Sequence, residues 1–362
     1  MSRPLQVFHE RISRLRSKLD RLEIDAILLL NPANIRYLTD FSGSDGALVI
    51  GGARAFLLVD GRYVTQAQDE AKGAEVIEYR DKIDGIVQVA CDSGFKAVGF
   101  ESMSMYVDQF LKLQARLQGL QLKPVFEEIE YIRAIKDSLE EERMKKAAET
   151  ASGAFHSILD FIKPGVRERD IALELDYRLK SAGAEDCSFN TIVASGTNTA
   201  LPHARPGFRE FTRGDFIIFD YGAVYMGYHS DETCTVALGD ADLRQRKVYQ
   251  VVKDAHDMTI DAVKAGISCK AVDHIARDYI DKKGFGPYFR HGTGHGVGLE
   301  VHEPPRIAYN SDAVLEAGMI VTIEPGIYIP GQWGVRIEDM VLVKENGYEV
   351  LTKATKDFRL VG

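Results

Sequence analysis

Four carboxylates and a group of histidines in the second half of the chain carry the clearest chemistry. Asp220 closes the apolar run Phe216-Ile217-Ile218-Phe219. Such a run reads as a strand, and a carboxylate at its end needs a partner for its charge. The chain continues through Gly222, turns near Met226-Gly227 and returns to Asp231. If Tyr225 and Tyr228 flank a two-residue turn, Asp220 faces Thr233 and Asp231 faces Gly222. The two carboxylates then share a face as diagonal neighbours about 7–8 Å apart and repel unless a cation lies between them. By itself an Asp-Asp hairpin also reads as an ordinary solvated turn. From His291 to Gly298 glycine alternates with other residues, which lets backbones approach closely and leaves room for imidazoles. His291, His295 and His302 are three of the nine histidines and fall within twelve residues. The pattern is not the dinucleotide GxGxxG, because its third position is not glycine. Glu324 closes the apolar run Ile320–Ile323, and Glu338 directly precedes another apolar strand. Each alone reads as a strand-end charge. Together, four carboxylates and one glycine-embedded imidazole suit two divalent ions such as Mn2+, Co2+, Fe2+ or Zn2+, whose charge the carboxylates balance.

These residues need a scaffold, and the chain has the length for one. Its 362 residues, 45% hydrophobic, suit two domains. Leu5, Phe8, Ile12, Leu15, Leu19 and Leu22 step by three and four, which predicts an amphipathic helix. Residues 26–30 read as a buried strand and Asn31-Pro32 as a turn. Residues 47–50 and 55–59 read as a hairpin around Gly51-Gly52, with further strands at 75–79 and 97–100. Residues 1–130 therefore form one α/β domain and 131–362 a second, with the charged stretch 127–137 as linker. Ser138 is read as the N-cap of a long helix, with Glu141 completing a capping box. A weak repeat relates Ile162-Lys163-Pro164-Gly165-Val166 to Val263-Lys264-Ala265-Gly266-Ile267. Each precedes a helical stretch with an Asp-Tyr pair, so two halves could pack with helices outside and one curved sheet inside.

Composition narrows the function classes. No apolar run approaches the roughly 20 residues of a membrane span. The start, Met1 to Leu5, has no apolar segment of the signal-peptide kind. Four cysteines lie far apart with no CxxC pair, which reads as free thiols in a reducing, cytoplasmic setting. A net charge of −9 disfavours nonspecific nucleic-acid binding.

The segments 219–233, 291–303, 322–328 and 334–339 resemble the signature of the pita-bread metallopeptidases, whose Xaa-Pro branch holds aminopeptidase P and prolidase. The stretch Asn34 to Thr39 resembles the creatinase-like first domain of that family, so the resemblance covers essentially the whole chain. It implies an α/β (α+β) fold, a creatinase-like N-terminal domain followed by a pita-bread catalytic domain. It implies that Asp220, Asp231, His295, Glu324 and Glu338 bind two divalent ions, most simply Mn2+, with Asp231 and Glu338 bridging. A hydroxide between the ions would attack the bond before proline, with Glu324 also carrying a proton. His203, His291 and His302 match residues that meet substrate, and Arg336 matches the arginine two residues before the last ligand. A homodimer acting on proline-containing peptides follows from the same resemblance. One departure stands out: the family pattern places arginine where this chain has Cys234, a position expected to point away from the ligands and to bear on stability. Methionine aminopeptidase shares the five ligands but lacks a long first domain, and creatinase lacks the metal set. A peptide-binding module would have lost its ligands. Between aminopeptidase P and prolidase the choice rests on what recognises the carboxyl side of proline, and Arg36, Arg290 and Arg336 are candidates.

Overall fold

The computed structural model describes residues 3–362, with side chains from Leu5 onward; Met1 and Ser2, part of the stretch read for a leader, lie outside it. The chain divides into two compact units, Met1–Arg133 and Ala134–Gly362. No described helix is long and apolar enough to cross a membrane, and all four cysteines are free thiols.

In the first unit the amphipathic helix spans Arg3–Leu22 and buries Phe8, Ile12, Leu15 and Leu19. Six strands form one mixed sheet in the spatial order Glu75–Tyr79, Ala55–Asp60, Ala47–Gly51, Ala26–Leu29, Ala97–Glu101, Gln121–Val125. The Gly51-Gly52 hairpin pairs Ala47 with Leu58 and Ile50 with Ala55. Two readings change. Asn31-Pro32 is a helix start: Asn31 accepts a hydrogen bond from Ala33 N at 2.9 Å and caps the helix Pro32–Thr39. Proline suits that first turn because its missing N–H would have no partner there. The charged stretch 127–137 is mostly helical, with a helix over Glu128–Ala134.

The second unit opens with the helix Ser138–Ile158. Its N-cap is Asp137, one residue before the one read from sequence. Asp137 accepts from Leu139 N and Glu140 N, while Glu140 reaches back to Asp137 N. Aspartate outcompetes the adjacent serine because its carboxylate also meets the positive end of the helix dipole. This helix packs with Glu168–Ser181, and Leu243–Asp261 packs with Cys269–Lys282. The repeat is visible where each pair is joined: Gly165 and Gly266 adopt φ of 87° and 86°, a left-handed conformation that glycine takes freely. One helix pair shares a core with the strands around Phe219 and Tyr221; the other shares one with Ile327 and Val335.

Those helices cover two main sheets. One runs Leu360–Val361, Glu232–Leu238, Phe216–Tyr221, Ile192–Ser195; the other Glu303–Ile307, Gly294–Gly296, Ile320–Ile323, Asp339–Lys344, Gly347–Val350. A hairpin of Gly326–Ile329 and Trp333–Arg336 lies in the chain between two strands of the second sheet, Ile320–Ile323 and Asp339–Lys344. The sheets meet at a seam where Glu338 N donates to Thr233 O at 3.1 Å and Thr235 Oγ1 donates to Arg336 O at 2.7 Å. Replacing Asp137 by alanine should lower stability by about 1 kcal/mol, whereas Ser138→Ala should change it by under about 0.5 kcal/mol. Urea denaturation of both variants checks this; equal effects would return the cap to Ser138.

Candidate metal centre

Strand alternation sets the first two carboxylates. Tyr225 pairs with Tyr228 across the turn at Met226-Gly227, and Asp220 pairs with Thr233. Asp220 therefore ends one strand while Asp231 enters the next, and Thr233 lies on the ligand face, where its Oγ1 donates to Glu338 Oε2 at 2.7 Å. The seam brings Glu338 alongside. Glu324 comes from the end of Ile320–Ile323, its N donating to Thr293 O at 2.8 Å.

His295 sits between Gly294 and Gly296, and both glycines are forced by closeness. A Cβ on Gly294 would lie 1.8 Å from Thr322 O, and one on Gly296 would lie 2.2 Å from Pro304 O. The strand can thus press between its neighbours and aim the imidazole at the acids. His295 Nε2 lies 3.7 Å from Asp231 Oδ2 and 3.8 Å from Glu324 Oε1. Donor atoms of Asp231, His295 and Glu338 all fall within 4.8 Å of one another. Asp220 and Glu324 flank this trio closely enough for their charges to act on Asp231 and Glu338.

Arg336 binds the rim. Its Nη2 donates to Asp220 Oδ2 at 2.6 Å, Nη1 to Tyr328 Oη at 2.8 Å and to Pro202 O at 3.1 Å, and Nε to Thr233 Oγ1 at 3.1 Å. Each nitrogen of the guanidinium is engaged, so Arg336 orients a carboxylate of this cluster and has little left for a substrate's carboxylate. The second oxygen, Asp220 Oδ1, is buried with no hydrogen-bond partner. A buried carboxylate oxygen left open beside other acids is what a cation would satisfy, and the donor set of carboxylates and one imidazole fits a divalent ion.

The histidines expected to meet substrate surround the same point. His302 packs against His295, ring centroids 4.4 Å apart and the planes tilted by 55°. His291 Nε2 lies 3.1 Å from Tyr328 Oη, and His203 is close enough for its charge to lower the proton affinity of His291. Asp220, Asp231, His295, Glu324, Glu338, Arg336, His203, His291 and His302 all lie around this point. Arg290 is not brought in; its Nε donates to Pro287 O. Two members escaped the sequence reading. Tyr328 bridges Arg336 and His291, and Thr233 bridges Arg336 and Glu338. The signal for Thr233 was its two-residue spacing from Asp231, which puts both on one face.

Burial and mutual repulsion dominate the electrostatics. Burial, then Glu338, Asp220 and Glu324, hold Asp231 well above the usual carboxylate range. Burial, then Glu324 and Asp220, do the same to Glu338. Burial pushes Glu324 up to about 8 against the pull of Arg336, and burial pushes His295 and His291 down to about 4. These are the shifts of the metal-free site.

Comparison with known proteins gives a consistent result. Residues 142–345 match metallopeptidase family M24, and residues 11–135 match the creatinase/prolidase N-terminal domain. The chain is 42% identical to an uncharacterized peptidase, YqhT, of Bacillus subtilis, covering 96% of this chain and 99% of that protein. It is 38% identical to a Xaa-Pro dipeptidase of Pyrococcus furiosus with the same coverage. Among solved structures, a Xaa-Pro dipeptidase from Bacillus anthracis superposes with TM-score 0.95 at 40% identity, covering 98% of this chain and all of that one. An X-Pro aminopeptidase from Thermotoga maritima gives 0.90 at 35%, covering 97% and 99%.

The raised carboxyl groups set a sign for stability. Their folded proton affinities exceed the unfolded ones, so their contribution is fully present below about pH 4.5 and is lost as pH rises through the folded values, for Glu324 to about 8. Metal-free protein should therefore lose thermal stability from pH 5 to 8, and added Mn2+ should raise Tm most at pH 8. Thermal melts with and without chelator read this; a metal effect independent of pH would contradict it.

Proposed function

The chain belongs to metallopeptidase family M24, and on that premise we propose that it hydrolyses the peptide bond between an N-terminal residue and a following proline. It is a metal-dependent hydrolase with a creatinase-like N-terminal domain and a pita-bread catalytic domain. The observation that supports the substrate most is the acidic cluster around Asp231, His295 and Glu338, in a chain that matches proteins named Xaa-Pro dipeptidase over almost their whole length.

In this reading Asp220, Asp231, His295, Glu324 and Glu338 hold two divalent cations. Such ions supply a nucleophile from water at neutral pH and polarise the scissile carbonyl. Manganese suits the preponderance of carboxylate donors. Glu324 carries a proton toward the proline nitrogen, which must be protonated to leave as a secondary amine. His302 donates a hydrogen bond to the substrate carbonyl as negative charge builds on it, and His291, whose Nδ1–H donates to Gly292 O while Nε2 faces Tyr328 Oη, helps hold the substrate. His203 lies on an exposed turn and serves the substrate side. Arg336 holds Asp220 and, through Tyr328, orients His291. A cytoplasmic homodimer accompanies this reading, in keeping with the four free thiols.

Relatives carry both dipeptidase and aminopeptidase names, and substrate length separates the two. Mn2+-loaded protein should cleave a Xaa-Pro dipeptide, a Xaa-Pro-Xaa tripeptide, or both, while chelator-treated protein and Glu338→Ala should cleave neither. Loss of activity on both peptides in protein that binds Mn2+ would defeat the assignment; the preferred length names the subclass. Separately, His302→Ala should lower kcat by on the order of a hundredfold, as removal of one donor to a developing oxyanion does. A change confined to KM would assign His302 to binding instead.

A further inference from the structure

The strands that present Asp231 and Glu338 have a second face, and that face is also charged. Side chains alternate along a strand, so Glu232, Cys234 and Asp339 point away from the ligands. All three are buried, Glu232 completely. Glu232 accepts from Ser152 Oγ at 2.7 Å, Ala354 N at 3.1 Å and Lys356 Nζ at 2.5 Å. Asp339 accepts from Thr352 Oγ1 at 2.5 Å, with His256 Nε2 at 3.2 Å and Lys356 Nζ at 3.3 Å. The same ammonium lies 3.4 Å from Cys234 Sγ. An ammonium has three N–H bonds, and here Glu232, Asp339 and Cys234 stand around it as three acceptors.

We propose that Lys356 is a positioning residue that fixes the separation of Asp231 and Glu338 from behind the sheet, and so sets metal affinity. It pairs with the carboxylate immediately next to each of those residues, one on each side of the seam between the two sheets. Its removal leaves two buried carboxylates facing each other with no ammonium between them. They would repel and push apart the strands Glu232–Leu238 and Asp339–Lys344, which begin directly after Asp231 and Glu338 respectively. Hydrogen-bonded partners behind a metal's ligands govern affinity in this way because they hold the ligands at their spacing before the ion arrives. Lys356 is itself anchored. Tyr249 Oη donates to its carbonyl at 3.0 Å, and the chain just beyond joins the sheet at Leu360–Val361. A cavity of about 560 Å3 reaches Lys356, Asp339 and His256 from outside. It leaves space at this point for a bulkier cation.

The proposal rests on the reading that Asp231 and Glu338 hold metal, and its test separates the two. Mn2+ affinity of the full chain is measured by calorimetry, and the Co2+ form is followed by its visible absorption. Wild type is compared with Lys356→Met, Lys356→Arg and Cys234→Arg/Lys356→Met. Lys356→Met should weaken Mn2+ binding by about tenfold or more and alter the Co2+ bands. Lys356→Arg, which keeps the cation and its donors, should stay within about threefold of wild type. The double variant, which supplies a cation from position 234, should recover affinity and spectrum. A folded Lys356→Met protein with lower Tm but wild-type affinity and spectrum would overturn the proposal. Where Lys356→Met cannot be recovered folded, the double variant decides: metal binding near wild type upholds the idea, and failure to bind refutes it. Wild-type protein that binds neither ion refutes the metal-centre reading, and this proposal with it.

Discussion

Asp231 and Glu338, buried, and Asp220 and Glu324, half-buried, surround one point, and each raises the cost of charging the others or has its own cost raised by them. Arg336 is the cation that pulls the other way on Asp231, Glu324 and Glu338. One guanidinium against four carboxylates leaves a large deficit in a medium where an unpaired charge is expensive. The catalytic unit is organised to tolerate this arrangement until cations arrive. Two hydrogen bonds across the seam, backbone Glu338 N to Thr233 O and side-chain Thr235 Oγ1 to Arg336 O, hold the acids together against their repulsion. Apolar helix pairs cover the outer faces, so the sheets do not depend on the charged pocket for their cohesion.

The strand Glu232–Leu238 does two jobs because its side chains alternate. Thr233 and Thr235 face the seam and bind Glu338 and Arg336, while Glu232 and Cys234 enter a separate ionic cluster with Lys356. Cys234 thus lies away from the ligands, the orientation its strand position suggested. Its thiol is buried and pushed up to about 12 by burial, with Lys356 acting against that, so at neutral pH it is a neutral neighbour of the ammonium. A position that resembles a lost arginine by sequence is in space a contact of a lysine far along the chain.

The acidic cluster was legible from sequence because Asp220, Glu324 and Glu338 each stand at the end or the start of an apolar strand, and the hairpin returns Asp231 beside Asp220. The hairpin register followed from the turn: with Tyr225 opposite Tyr228, Asp220 must face Thr233. The glycines around His295 were legible for the same kind of reason, since only close strand approach makes both necessary. What stayed hidden depends on distant partners. Tyr328 in an apolar strand looks like core until Arg336 and His291 arrive from elsewhere. Lys356 sits in an irregular segment with no periodicity to read. The helix over Glu128–Ala134 was masked by its charge, and Asn31-Pro32 by the fact that a turn signal and a helix cap use the same residues.

The proposed ligands and the residues proposed to face substrate are held by different means. The five proposed ligands stand on or directly beside strands, where the ladder fixes them. His203 and His291 stand on irregular chain, and in each case a buried carboxylate from a helix ties that chain down. Glu168, at the start of its helix, accepts from Ser195 N, Ser195 Oγ, Asn198 Nδ2 and Gly207 N, which secures both ends of the stretch that carries His203. Asp273, in the corresponding helix of the other half, accepts from Thr293 Oγ1 and pairs with Arg277, which donates to His291 O. The two 14-residue helices place that carboxylate differently, Glu168 at the first position and Asp273 at the fifth. Strand ladders thus fix the acidic cluster, while side-chain hydrogen bonds tether the chain that bears His203 and His291.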